Sequence, residues 1–261
     1  FKSKAEFEIA RLYANTALRQ DLFTIRSTPD FGAVKRAIER TAKDLSSVIK
    51  MRLQRLGIKL LKGAGRFADS RTVIVGDDII KAGYIVIATG SVPRVFPGVT
   101  VDGSRVVTSD EIVRLTSLPE SLLILGAGVI GCEFASIFNA LGSKVLLVDT
   151  QARVLSSEDE DLSRFLTREF SQRGVEVIPS CRFEKLEVGK KGVSTILSDG
   201  QRVQSESVLL AVGRNPTTSA LNLDAAGIEV DERGYVRTDL EMRTNIPHIY
   251  AVGDVGQRNT P

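Results

Sequence analysis

An α/β protein built on a parallel sheet is what this sequence predicts, and three observations predict it. First, residues 122–149 read LLILGAGVIGCEFASIFNALGSKVLLVD: an apolar run, a glycine turn, a helical pattern and a second apolar run. Second, further apolar runs at 175–178 and 207–212 continue the alternation, the former after a helical stretch that stops at Gly174. Third, the apolar period is helical up to Gly57 and strand-like from Ile58. Buried runs alternating with helices are the pattern of strands laid parallel with helical crossovers.

The glycine turn carries the chemistry. Gly126-Ala127-Gly128-Val129-Ile130-Gly131 is a complete G-x-G-x-x-G between a strand at 122–125 and a helix with Ile130, Phe134, Ile137 and Leu141 on one face. Gly142-Ser143 ends that helix, and the strand at 144–148 ends on Asp149, 18 positions after Gly131. Gly126 permits the tight turn, Gly128 lets backbone approach a pyrophosphate, and Gly131 allows close helix–sheet packing. Free N–H groups at the helix start, with the positive end of its dipole, suit phosphate charge. Asp149 suits both hydroxyls of an adenosine ribose and would repel a 2′-phosphate, so NAD is expected over NADP. Arg153 lies nearby and would favour a phosphate, the one residue pointing the other way.

The bulk numbers exclude several classes. The 261 residues suffice for two domains. A net charge of +3 with interleaved acids and bases argues against nucleic acid as the main partner. No apolar run reaches the length of a membrane span, and no signal peptide is present, so no membrane role is expected. Cys132 and Cys181 form no C-x-x-C pair and read as buried thiols of a reduced, cytoplasmic protein, the mitochondrial matrix being the alternative. His248 is the single histidine and builds neither a metal site nor a triad by itself, and no metal is expected.

In chain order, helices are expected over 4–18 and, after Thr28-Pro29-Asp30, over 31–56. The second has Val34, Ile38, Leu45, Val48, Ile49 and Leu56 as a buried stripe opposite a solvated basic face, and Gly57 as its stop. Strands are expected at 58–61, 71–75 and 84–88, with turns at Gly63-Ala64-Gly65-Arg66, Gly76-Asp77-Asp78 and Thr89-Gly90-Ser91. A short helix is expected over 107–118, entered through Thr108-Ser109-Asp110, and Pro119 marks a boundary. Ser156–Asp161 supplies acids to the start of a helix reaching about Arg173. Residues 182–204 alternate as an antiparallel meander, and 228–238 form a hairpin around Asp231-Glu232-Arg233-Gly234.

Several separate motifs agree with one family. Ala88-Thr89-Gly90-Ser91, Gly126 to Glu133, Gly213-Arg214-Asn215-Pro216 and residues 244–254 resemble, in order and spacing, the flavoprotein disulfide reductases that bind pyridine nucleotide, and among them the dihydrolipoamide dehydrogenases. The resemblance implies an NAD domain inserted into an incomplete FAD domain of Rossmann-like fold. The segments are 1–118 (FAD), 119–245 (NAD) and 246–261 (return to FAD). It implies roles by position. Gly65, Thr89, Gly90, Ser91 and Asp254 would serve FAD, Gly65 at its adenine end and Asp254 on its ribityl chain. Gly126, Ala127, Gly128, Val129, Ile130, Gly131, Cys132, Glu133, Asp149, Phe183 and Gly213 would serve NAD. Glu133 lies near the nicotinamide end on this reading; taken alone it is only an acid in a helix first turn. Asp254 taken alone is an Asp capping a turn after Gly253.

The same resemblance implies a reaction: oxidation of dihydrolipoamide with NAD as hydride acceptor, in a homodimer, with lipoamide presented by a 2-oxoacid dehydrogenase or glycine cleavage complex. Mercuric reductase, soluble transhydrogenase and glutathione reductase are alternatives within the family, and a non-catalytic NAD-binding module is one outside it. Within these residues there is no second G-x-G-x-x-G for the FAD pyrophosphate, no C-x-x-x-x-C and no catalytic His-Glu pair. The chain opens on Phe1 and closes on Pro261, and reads as part of a larger enzyme whose catalytic residues lie elsewhere.

Overall fold

The computed structural model describes residues 30–256. The helix expected over 4–18, the Thr28-Pro29 break and the last five residues lie outside the described part. The chain divides into two compact units. One joins the described residues up to Lys50 with Pro93–Gly213; the other joins Met51–Val92 with the described residues from Arg214 onward.

The first unit is organised by a five-stranded, all-parallel sheet. Its order is Val106–Thr108, Ser207–Leu210, Ser121–Leu125, Lys144–Val148, Glu176–Ile178. Central strands of a parallel sheet are covered on both faces, so their side chains need no alternation. Accordingly Leu122, Leu123, Ile124, Leu209 and Leu210 are all essentially inaccessible. Helix α2 (Val129–Leu141), following helix α1 (Phe31–Arg55), buries Phe134, Ile137, Phe138 and Leu141 against one face of the sheet. Helix α3 (Glu160–Gln172) adds Phe170 to the same core. The other face is covered by the meander Phe183–Gly189, Gly192–Leu197 and Arg202–Ser205, which contributes Val193 and Leu197.

Chain order fixes where the sheet opens. From Ser121–Leu125 the chain moves outward to Lys144–Val148 and Glu176–Ile178, then returns to Ser207–Leu210 on the opposite side of the starting strand. Ser121–Leu125 is therefore flanked on one side by the strand its own connection leads to and on the other by a strand reached only after the chain has crossed back. That is the topological switch point at which open α/β sheets bind ligands.

The second unit is smaller. An antiparallel meander of Gly65–Asp69, Thr72–Val75 and Asp78–Lys81 stands beside a parallel pair, Ile85–Ile87 with Ile249–Ala251. Phe67, Ile87, Leu223, Val236, Ile249, Ala251 and Val255 form its core. Asn222 Nδ2 donates to the Phe67 carbonyl at 2.9 Å, which ties the loop before Leu223–Ala226 to the first strand of the meander. Short strands Ser91–Pro93 and Arg214–Pro216 pair with each other.

Several expectations need correction. The helix over 107–118 is not formed: Val106–Thr108 is an edge strand and only Ile112–Arg114 turns, as a 3-10 helix. Val106 and Val107 are β-branched and fully buried beside Ser207–Leu210, and this distant pairing outweighs the local helix-start signal. The expected cap survives in reduced form, because the Glu111 carboxylate accepts from Thr108 N at 2.9 Å and Thr108 Oγ1 at 2.6 Å. Residues 58–61 form no strand; Ile58 and Leu60 are more than half exposed and have no ladder among the described residues. In α1 only the first turns pack, through Phe31, Val34 and Ile38, while Leu45, Val48, Ile49 and Leu56 are exposed. The hairpin over 228–238 reduces to one bridge, Val230 to Val236, around the Asp231 turn. Asp78–Lys81 is a strand beyond the turn where none was expected.

Candidate functional site

The glycine turn sits at the switch point, and each glycine has a different physical reason. A Cβ on Gly126, where φ is +111°, would lie 2.3 Å from the Ala211 carbonyl oxygen at the end of the neighbouring strand. A Cβ on Gly131 would lie 1.8 Å from the Gly126 carbonyl oxygen. Both positions exclude a side chain through the protein's own backbone, so they let the two strands and α2 come together. Gly128 is the opposite case. It is exposed, it precedes α2 in extended conformation, and its added Cβ would meet nothing within 4 Å. Nothing among the described residues requires glycine there, so on their account the space is open to a molecule from outside.

Ala127, between the first two glycines, is held from both sides. Its N–H donates to Asp149 Oδ2; its carbonyl accepts from Leu155 N at 2.8 Å and from the Cys132 thiol at 3.3 Å. Asp149 Oδ1 accepts from Gln151 N at 2.7 Å. The acid at the end of Lys144–Val148 thus joins the glycine turn to its own loop, and it remains half-exposed. Oδ1 also takes a long contact of 3.4 Å from the Thr150 hydroxyl, which a stronger donor can displace, and Oδ2 keeps a second lone pair, so a ribose diol can still be accepted. Leu155 and Ala211 are the partners that sequence reasoning missed; one is a loop residue and the other a small residue after a buried run, and neither bears a local signal.

The start of α2 is built to receive charge. It has no side-chain cap and no acid in its first turn, so its leading N–H groups are unanswered by acidic side chains. Helix α3 shows the contrast: Asp159 caps it, accepting from Asp161 N at 2.8 Å, and Glu160 and Asp161 occupy its first turn. Glu133 lies beyond the first turn of α2 and is half-buried, so the simple reading as a first-turn acid is set aside. Val129, just past Gly128, is 59% exposed and Ile130 is half-buried, which leaves an apolar wall beside the turn.

Cys132 faces inward. Burial pushes its thiol up to about 12, with the nearby Asp149 carboxylate adding to the effect and the Leu155 N–H opposing it. Its side chain therefore belongs to the packing of the turn. Phe183 opens the strand after Cys181, whose N–H donates to the Asp149 carbonyl at 2.8 Å. Its ring is half-buried 4.5 Å from that of Phe96. Gly213, at φ +107°, follows Ala211 and Val212 out of the sheet and has open space around it.

The second unit gathers the other group of residues. Thr89 Oγ1 donates to the Thr217 carbonyl at 2.8 Å, and Thr217 N donates to the Gly90 carbonyl at 2.9 Å. Ser91 Oγ donates to Asp254 Oδ2 at 2.9 Å and accepts from Arg214 Nε at 2.6 Å. Asp254 lies in the turn Gly253–Val255 and is exposed. Gly65 begins its strand, where an added Cβ would make only ordinary contact with Val73 and Val75, so no neighbour among the described residues demands glycine. His248 Nε2 pairs with the Ser70 carbonyl at 2.7 Å, a structural contact.

The residues fit two nucleotide cofactors in part. An open Gly128 beside uncapped helix N–H groups and an acid at the neighbouring strand end suits NAD. Exposed Asp254, tied to the Ser91 hydroxyl, suits a polyol chain of a flavin.

Comparison with known proteins agrees with this pattern. The family model for pyridine nucleotide-disulphide oxidoreductases matches residues 4–261. A dihydrolipoyl dehydrogenase from Chlamydia pneumoniae is 39% identical over 201 residues, covering 76% of this chain and 43% of the relative. A soluble pyridine nucleotide transhydrogenase from Serratia proteamaculans is 41% identical over 202 residues, with the same two coverages of 76% and 43%. Among solved structures, LpdA from Mycobacterium tuberculosis superposes with a TM-score of 0.89 at 28% identity, over 100% of this chain and 58% of that one. The HOCl-induced flavoprotein disulfide reductase RclA from Escherichia coli gives 0.83 at 27% identity, over 97% and 55%. The chain spans about half the length of these relatives. The motifs at 88–91, 126–133 and 213–216 thus stand in an α/β frame shared with NAD(P)-dependent flavoprotein disulfide oxidoreductases, and the chain belongs to the pyridine nucleotide-disulphide oxidoreductase family.

Proposed function

We propose that this chain is the nucleotide-binding part of an enzyme that oxidises dihydrolipoamide and passes hydride to NAD. The observation that carries the NAD part is Gly128, at the uncapped start of α2, where an added Cβ would meet nothing within 4 Å among the described residues. Gly126, Ala127, Gly128, Val129, Ile130 and Gly131 would hold the NAD pyrophosphate with backbone N–H groups. Asp149 would accept from the adenosine ribose, Phe183 would flank the adenine, and Glu133 and Gly213 would lie toward the nicotinamide. Cys132 would serve through its backbone, since its thiol is buried. Gly65, Thr89, Gly90, Ser91 and Asp254 would hold FAD. When bound, the two cofactors supply the redox chemistry; the residues here bind, orient and keep the nucleotide's charge matched. On this reading residues 119–245 are the NAD side and residues 1–118 and 246–261 the FAD side; the two compact units divide the chain at other points, after Lys50, Val92 and Gly213.

Two observations favour NAD over NADP. Asp149 would place a carboxylate where a 2′-phosphate must sit. Arg153, the residue that would favour a phosphate, has its guanidinium committed to the carbonyls of Glu158 at 3.0 Å and Ser156 at 3.1 Å. The second reading is a soluble transhydrogenase, favoured by the 41% identity to the Serratia relative. Lipoamide-bearing 2-oxoacid dehydrogenase or glycine cleavage complexes, and a second copy of the chain in a dimer, are the proposed partners.

The test is direct. The full-length protein is purified, its visible spectrum recorded, and NAD-linked oxidation of dihydrolipoamide compared with hydride exchange between NADPH and NAD. A yellow protein with the first activity supports the proposal; the second activity alone would select the transhydrogenase. A colourless protein that binds NADH would leave only the nucleotide-binding module.

A further inference from the structure

Ser91, Arg214 and Asp254 come from three separate stretches of one unit and meet in a single hydrogen-bonded chain. Arg214 Nε donates to Ser91 Oγ at 2.6 Å, and Arg214 Nη2 donates to the Ser91 carbonyl at 2.6 Å. Ser91 Oγ lies 2.9 Å from Asp254 Oδ2, and Arg214 Nε lies 3.7 Å from the same oxygen. Chemistry dictates the direction of each proton. A guanidinium only donates and a carboxylate only accepts, so the serine hydroxyl accepts from Arg214 and gives its one proton to Asp254.

The chain runs from an anchored end to an open one. The Arg214 side chain is 27% exposed and that of Asp254 52%. The arginine's own backbone is fixed, its carbonyl accepting from the Tyr235 hydroxyl at 3.0 Å. The strand Ile249–Ala251 that leads to Asp254 is paired in register with Ile85–Ile87, which leads to Ser91. At the open end Oδ2 is committed to Ser91, whereas Oδ1 has no hydrogen-bond partner among the described residues. Arg214 Nε and Asp254 Oδ2, 3.7 Å apart, are beyond hydrogen-bond distance, and solvent at the half-exposed carboxylate screens their direct attraction. The connection that orients the carboxylate passes through the serine hydroxyl.

We propose that Arg214 and Ser91 are positioning residues: they tie back one oxygen of Asp254 so that the other is presented to a hydroxyl of a polyol-bearing ligand. The identity of that ligand as FAD rests on the reading given above. The device makes a specific demand on energetics. If Arg214 acts on Asp254 only through Ser91, its effect on ligand binding disappears once the hydroxyl is gone.

The experiment titrates FAD into the flavin-free full-length protein and follows quenching of flavin fluorescence. Variants are Ser91→Ala, Ser91→Thr, Arg214→Met, Asp254→Ala and the pairwise combinations. Thermal melting of each flavin-free variant reports folding separately. Ser91→Ala and Arg214→Met are expected to weaken FAD binding about tenfold each, and their combination also about tenfold. Ser91→Thr, which keeps the hydroxyl, is expected to recover most of the affinity that Ser91→Ala loses. Adding Ser91→Ala to Asp254→Ala is expected to change nothing further. Effects that multiply, about a hundredfold in the Ser91–Arg214 pair, would overturn the positioning role while leaving the flavin reading intact. So would a Ser91→Ala variant that binds like the unaltered protein. Absence of FAD binding by the unaltered protein would overturn the flavin reading and the inference with it.

Discussion

The carboxylate of Asp149 is hydrogen-bonded to the backbone N–H of Ala127, so the acid at one strand end clamps the glycine turn at the end of the next. An acid in this place was legible as a ribose acceptor. Its second task, holding the turn, is visible only in the folded protein. Asp149→Ala should therefore do two things at once. NADH affinity should fall by about 1–3 kcal/mol, the scale of hydrogen bonds to a charged group, and the melting temperature should fall as well. Isothermal titration and thermal melting on the same sample separate the two effects. Unchanged stability would mean that the Ala127 contact does not hold the turn.

Nucleotide choice follows from the same residue. NADH should bind more tightly than NADPH, because Asp149 repels a 2′-phosphate and Arg153 is occupied by the carbonyls of Ser156 and Glu158. Parallel fluorescence titrations of the two reduced nucleotides decide it. Equal affinity, or tighter NADPH, would defeat the assignment.

Two glycines of the turn should fail in different ways. Gly128→Val should leave the protein folded and abolish NADH binding, since the added side chain meets open space in the protein and fills the place of the pyrophosphate. Gly131→Ala should lower stability by several kcal/mol, because its Cβ would lie 1.8 Å from the Gly126 carbonyl oxygen. Circular dichroism melting and NADH titration of the pair give the comparison. A folded Gly128→Val protein that retains NADH would show the turn to be structural only.

Cys132 should be inert in the native state. With its thiol raised to about 12 by burial, roughly one molecule in ten thousand carries a thiolate at pH 8. Iodoacetamide at pH 8 should leave Cys132 unlabelled in the folded protein and label it in denaturant, as read by peptide mass spectrometry. Rapid native labelling would contradict the packing described for this turn.

The edge strand Val106–Thr108 should loosen in acid. Partial burial opposes ionisation of Asp102, but the N–H groups of Ser104, Val106 and Arg105 outweigh it and hold the carboxyl below its ordinary 3.8. Glu111 behaves alike: burial opposes, and Thr108 Oγ1 and N hold it below 4.5. A carboxyl lowered by folding stabilises the native state above its unfolded value. That contribution fades as pH falls through the lower, folded value. Amide exchange at Ser104, Arg105, Val106 and Thr108 should therefore accelerate, beyond the intrinsic trend, as pH drops below about 4.5, and Asp102→Ala should remove part of the change. Protection that stays constant down to pH 2 would refute the assignment.

By itself the sequence determined the elements whose signals are local and strong. The strand–turn–helix–strand over 122–149 is one, because a buried apolar run, three spaced glycines and a 3.6-residue stripe all act on neighbouring residues. The meander around Gly189, Gly192 and Gly200 and the helix opened by Asp159 are others, since turn chemistry and capping are short-range. Tertiary structure decided what depends on distant partners. Val106–Thr108 is a strand and not a helix because Ser207–Leu210, about a hundred residues away, offers it a ladder. The exposed Leu45, Val48 and Ile49 share the stripe of Ile38, yet only the first turns of α1 reach the core. Within the candidate sites, the glycines and acids were readable as residue types. Which backbone each glycine must avoid, and that Arg214 reaches Asp254 through Ser91, required three chain segments to be brought to one place. No local pattern encodes such a meeting, because its energy belongs to contacts that exist only once the chain has folded.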